Sequence, residues 1–116
     1  MVRTMLFVLA AAALAQRPWP PPGLRCPERT LVLYEVQPSN ASRMSGLFDE
    51  HTAYLVEHMK AGRIVAAGKT EKGGAAIFSS KDWLEVEGII NKDPYVREHI
   101  AAVASHTVWN ACEAEK

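Results

Sequence analysis

His51 and Asp93 are the residues of this 116-residue chain whose types suit proton transfer, and Tyr54 is the nearby hydroxyl that could hold a bound molecule. A free imidazole titrates at about pH 6.5, so it can both take and give a proton at neutral pH. A carboxylate brought against it would fix its tautomer, orient the ring and favour the imidazolium form. That combination serves proton shuffling next to a carbonyl, the chemistry of an isomerase or a lyase. Each residue also has a plainer role. A histidine on the apolar stripe of a helix is more often a packed side chain. An aspartate before proline at a helix end is a common turn residue. Tyr54, three residues after His51 on the same helical face, is more often a core aromatic than a ligand donor.

The elements that must position these groups follow from periodicity. Residues 30–36 are β-branched and aromatic-rich, apolar on both faces except for Glu35, and predict a strand. A turn over 38–42 carries the sequon Asn40-Ala41-Ser42, a pattern with a high chance rate. Leu47, Phe48, His51, Tyr54, Leu55, His58 and Met59 recur at helical spacing, which predicts a helix over 45–61 with Gly62 at its end. Strands follow at 63–68 and 75–79, joined by a glycine-containing hairpin at 70–74. Ser79 is the expected cap of a second helix that turns Trp83, Val86, Ile89 and Ile90 inward and stops before Asp93-Pro94. Residues 103–109 alternate as a fourth strand.

The order β-α-β-β-α-β predicts an α+β, ferredoxin-like plait: a four-stranded antiparallel sheet with two helices on one face. Strands apolar on both sides need both faces covered. Two helices cover one, so the other is expected to meet a second copy in a homodimer. Tyr34, His106 and Trp109 are candidates for that partner-facing side, with packing their commoner role.

His51-Thr52-Ala53-Tyr54-Leu55, then Ala61-Gly62-Arg63-Ile64-Val65-Ala66-Ala67-Gly68, then the hairpin, then Asp93-Pro94-Tyr95-Val96, resemble a YciI-like (YCII-related) domain of the dimeric α+β barrel group. The resemblance spans Thr30 to Trp109. It implies a dimer with packed sheets and a cleft in which His51 and Asp93 form an acid/base pair. The family often carries an arginine three residues before the histidine, where this chain has Phe48, and a proline after the glycine of the second strand, where it has Lys69. Arg43 and Lys69 are then the groups available to replace that anion-binding arginine.

Composition narrows the alternatives. Thirteen basic residues balance thirteen acidic ones with no Lys/Arg run, which removes the electrostatic footprint of a nucleic-acid binder. Four histidines without a ligand-spaced cluster imply no metal, and no phosphate loop or dinucleotide fingerprint implies a cofactor. Residues 1–15 read as an export signal: Arg3, then the apolar run 5–14, then Ala13-Leu14-Ala15 before Gln16. That run is about half the 20 residues needed to span a bilayer, so no stable membrane insertion is expected once it is cleaved. A Pro-rich linker fills 16–29, the domain runs 30–112, and 113–116 form a tail. The expected location is periplasmic or secreted. There Cys26, just before the first strand, and Cys112, just after the last, can meet as a disulfide if those strands are antiparallel neighbours. Two functions fit: an exported isomerase- or lyase-like acid/base enzyme acting on an unknown small molecule, or a non-catalytic small-molecule-binding or accessory dimer.

Overall fold

The computed structural model describes residues 17–116. The expected signal, residues 1–15, lies outside them. Residues 28–111 form one compact unit, and residues 17–27 with 112–116 form another.

In the smaller unit β1 (Leu24–Arg25) pairs antiparallel with β6 (Glu113–Ala114), and Arg25 forms an ion pair with Glu113 at 3.0 Å. Cys26 and Cys112 are joined by a disulfide.

The larger unit begins with β2 (Arg29–Val36), a short 3-10 turn (Pro38–Arg43) and helix α1 (Met44–Lys60). Gly62, at φ +77°, ends α1 in the left-handed region that glycine enters without a Cβ clash. Next come β3 (Ile64–Lys69), β4 (Gly73–Phe78), α2 (Trp83–Ile90), the one-turn helix α3 (Pro94–Arg97) and β5 (Ala101–Trp109). The sheet order is β3-β4-β2-β5 with every neighbour antiparallel. This is the ferredoxin-like plait, the subunit architecture expected of a dimeric α+β barrel.

Register decides which face each strand residue takes. Thr30, Val32 and Tyr34 of β2 sit opposite Phe78, Ala76 and Gly74 of β4 and face the helices, where Val32, Ala76, Phe78, Ile64, Val86 and Ile90 close the core. Thr30 is buried there, its hydroxyl donating to the Ser80 carbonyl at 2.7 Å. Leu31 and Leu33, opposite Ile77 and Ala75, take the other face, where Leu33 is 41% exposed. Gly73 is required where β4 passes β2, since a Cβ there would come within 2.6 Å of the Tyr34 carbonyl.

Three expectations need correction. Asp82, not Ser79, caps α2: its carboxylate accepts the Leu84 amide at 3.1 Å, and Ser80 ties the Asp82 amide to Glu85. Tyr34 and His106 lie on the helix-covered side rather than the partner side. Tyr34 packs on the core, and His106, opposite Val32, stacks on Trp83 with ring centroids 3.5 Å apart. Phe48 and Met59 belong to the outer flank of α1, the first of them 56% exposed, because the half-buried stripe runs through Leu47, His51, Tyr54, Leu55 and His58.

Candidate acid/base site

The site forms where the middle of α1 meets the N-terminus of α3. Asp93 precedes Pro94, whose fixed φ starts the turn, and the Asp93 side chain caps it by accepting the Tyr95 amide on Oδ1 at 2.9 Å. The same oxygen meets His51 Nδ1 at 2.8 Å. Asp93 is 7% exposed and the His51 side chain 20%. An oxygen already accepting one N–H acts as acceptor toward the imidazole as well, so in the neutral ring Nδ1 carries the proton and Nε2 the lone pair. His51 can then receive a proton only at Nε2, with Asp93 behind it to stabilise the charge that results.

Tyr95 completes the setting. Its ring stacks on the imidazole with centroids 3.8 Å apart and planes 6° apart, and its hydroxyl donates to the Met44 carbonyl at the start of α1. Burial, then the Asp93 charge, pushes its phenol above the ordinary range, so it remains a donor at neutral pH. Sequence reasoning gave Tyr95 no role. The spacing that could have found it is the aspartate two residues before it, the residue that caps its amide.

Tyr54 lies one turn beyond His51, but its hydroxyl donates to the Ile89 carbonyl at 2.6 Å. Its ring stacks on His58 at 4.4 Å, and Arg63 donates to His58 Nδ1 at 2.7 Å. Burial first, and Arg63 second, lower the His58 pKa. Burial, then Asp93 and Glu57, raise that of Tyr54, partly opposed by Arg63.

Arg43 is committed elsewhere: it holds the Glu98 carboxylate at 3.1 Å and the Glu98 carbonyl at 3.2 Å. Lys69 ends β3 opposite Gly74, which in turn faces Tyr34 across β2. Lys69, Gly74 and Tyr34 thus occupy one register row of the sheet.

Two open grooves flank α2. One, of about 550 Å³, runs beside Tyr54, His58, Ile89 and Lys92. The other, of about 500 Å³, runs beside Trp83, Ile90, Val96 and Val103. Neither is lined by His51 or Asp93.

No family model matches this chain, and no curated protein does. Among solved structures it is similar to 5-chloro-2-hydroxyhydroquinone dehydrochlorinase (TftG) from Burkholderia phenoliruptrix AC1100, in complex with 2,5-dihydroxybenzoquinone. The identity is 22%, the TM-score 0.54, and the match covers 76% of this chain and 93% of that one. At that identity the likeness is one of fold.

Proposed function

We propose that this chain is an exported, YciI-like acid/base enzyme, isomerase- or lyase-like, in which His51 Nε2 moves a proton next to a carbonyl and Asp93 steadies the charged imidazole. The observation that carries this reading is the 2.8 Å contact between His51 Nδ1 and a nearly buried Asp93 oxygen. It leaves one ring nitrogen for chemistry. The fold neighbour is a dehydrochlorinase whose complex holds a hydroxylated quinone, which makes enolisable or hydroxylated rings the first substrate class to try. No cofactor is invoked.

A homodimer through the open sheet face belongs to the same proposal. Leu31, Leu33, Ile77 and Trp109 share that face, and Leu33 and Trp109 are 41% and 42% exposed. Apolar side chains grouped in this way mark an interaction surface. Export to the periplasm or beyond is supported by the Cys26–Cys112 bond, which persists in oxidising compartments.

The test is turnover of substituted hydroxyhydroquinones and 2,5-dihydroxybenzoquinone followed by absorbance. Wild type should be active, and His51→Ala and Asp93→Asn should each lose about a hundredfold or more in kcat while remaining folded. Unfolding of both variants, with no activity in wild type, would assign the pair to packing. A second reading, a non-catalytic binding protein, is favoured by the placement of both grooves beside α2, away from His51. It predicts saturable binding in the groove that Tyr54 and His58 line, with no turnover.

A further inference from the structure

The two histidines of the α1 stripe are held in opposite states. His51 turns its Nδ1 proton toward Asp93 and keeps a lone pair on Nε2. His58 is the reverse. Arg63 Nε, a group that can only donate, reaches His58 Nδ1 at 2.7 Å. In the neutral ring Nδ1 is therefore the acceptor and Nε2 carries the proton. Burial first, and the Arg63 charge second, lower the His58 pKa and favour that neutral form. The Tyr54 ring stacks on the imidazole with centroids 4.4 Å apart, which fixes its plane. Nε2 has no hydrogen-bond partner among the described residues, and none of their buried side-chain nitrogens is left unsatisfied, so this N–H is open to solvent.

His58 lines the groove of about 550 Å³ between α1 and α2, whereas Arg63, on the other edge of the ring, does not. Nε2–H is thus the polar group the ring offers to that space. The contacts of α1 run backwards along the segment facing it: His51 meets Asp93, and Tyr54 donates to the Ile89 carbonyl. The next stripe position, His58, falls level with Glu85, which lines the same groove. No hydrogen bond or ion pair joins the two. One Glu85 oxygen accepts the Ser80 hydroxyl at 2.9 Å, which leaves the other available. Gly88, one turn further along α2, also lines the groove, and a Cβ there would meet nothing within 4 Å. The Glu57 carboxylate and the Lys92 ammonium complete the polar lining, neither with a side-chain partner among the described residues. Tyr54 spends its proton on Ile89, so its oxygen remains an acceptor.

We propose that this groove binds a neutral polyhydroxylated molecule, a sugar ring or cyclic polyol, with His58 Nε2–H donating to one ligand hydroxyl and Glu85 accepting from it or its neighbour. The two carboxylates oppose an anion, and Lys92 opposes an ammonium ion. A hydroxyl accepts and donates without charge, so it satisfies both sides of the groove at once. Hydrogen bonds to the ionised Glu85 and Lys92 are the stronger ones. Arg63 is a positioning residue, since it sets which nitrogen of His58 carries the proton. This inference rests on the binding reading for where the ligand sits and gives that groove its ligand class. It is independent of proton transfer at His51.

The probes are the methyl β-glycosides of glucose, galactose and mannose, titrated by nitrogen-15 NMR into the full oxidised chain. In the free protein the His58 ring should show its proton on Nε2. At least one glycoside should bind saturably and shift that nitrogen, about tenfold tighter than cyclohexanol or cyclohexanecarboxylate. His58→Phe keeps a ring on Tyr54 and should weaken the glycoside about tenfold. Arg63→Met should weaken it too and bring the other tautomer into view. His51→Ala should bind the glycoside as wild type does. Saturable binding of cyclohexanol or cyclohexanecarboxylate with no preference for a glycoside keeps the groove as a binding site and overturns the hydroxyl recognition. No saturable binding of any probe overturns both. A proton found on His58 Nδ1 in wild type also overturns the proposal, a measurement that stands even if the variants fail to fold. So does equal glycoside affinity in wild type and His58→Phe.

Discussion

His51 lies flat against Tyr95, with ring centroids 3.8 Å apart and planes 6° from parallel, while its Nδ1 is held at 2.8 Å by Asp93. The imidazole is thus fixed in plane by one neighbour and in rotation by the other. Tyr95 is 8% exposed and tied to Met44 through its hydroxyl, so the surface under the imidazole is itself rigid. Removing the hydroxyl in Tyr95→Phe keeps the ring and loses one hydrogen bond. Urea denaturation should show a loss of about 1 kcal/mol, and nitrogen-15 NMR should still find His51 protonated at Nδ1. Tyr95→Leu should remove the stack and let both tautomers appear.

Asp93 answers to two donors, so its substitutions separate by chemistry. Asp93→Asn retains an oxygen that can cap α3 and should lose less stability than Asp93→Ala. The alanine variant loses the cap, at about 1 kcal/mol, and leaves the His51 N–H without its partner. Paired urea midpoints for the two variants check the order.

His58 supplies a pH dependence. Its native pKa is lowered, first by burial and then by Arg63, so the unfolded chain takes up the proton before the native one does. Stability is full above the unfolded value of about 6.5 and falls as pH drops through the lowered native value. Denaturation midpoints measured on both sides of that window should decline toward acid in wild type and flatten there in His58→Gln. Arg63→Met should raise the His58 titration seen by proton NMR.

The Cys26–Cys112 bond closes a loop with a sequence separation of 86. A loop of that length restrains the unfolded chain by about 4.6 kcal/mol in the chain-entropy account. Cys26→Ala/Cys112→Ala should fall by up to that amount in calorimetry or urea melts, and reducing agent should reproduce the loss in wild type.

Sedimentation tests the sheet face. Leu33→Glu places a charge among Leu31, Ile77 and Trp109, side chains that register puts on one side. If two copies meet there, the variant should sediment as a monomer at concentrations where wild type is a dimer.

Much of the plait was legible because its signals are local. The helical spacing of Leu47, His51, Tyr54 and Leu55 and the end at Gly62 belong to single elements, and they place α1 within a residue of Met44–Lys60. The inward set of α2 was legible for the same reason. What escaped depends on contacts between distant segments. Strand β2 is apolar on both faces, so alternation could not say that Tyr34 turns toward the helices; the register with β4 does. Arg43 reads as a free cation until α3 brings Glu98 to it. The pairing of Leu24–Arg25 with Glu113–Ala114 joins two segments that each lack a strand pattern. In the site, the likeness of the Asp93-Pro94-Tyr95 and His51 segments to a known family pointed to the pair. The stack of Tyr95 on His51 follows from α3, a single turn too short to leave a periodic signal.

One oxygen, Asp93 Oδ1, both starts α3 and holds the imidazole. Rotating the Asp93 side chain away therefore uncaps the turn and releases His51 in one movement. The exchange rate of the Tyr95 amide hydrogen then sets an upper bound on how often that rotation unmoors the imidazole, since each such rotation exposes the amide to solvent.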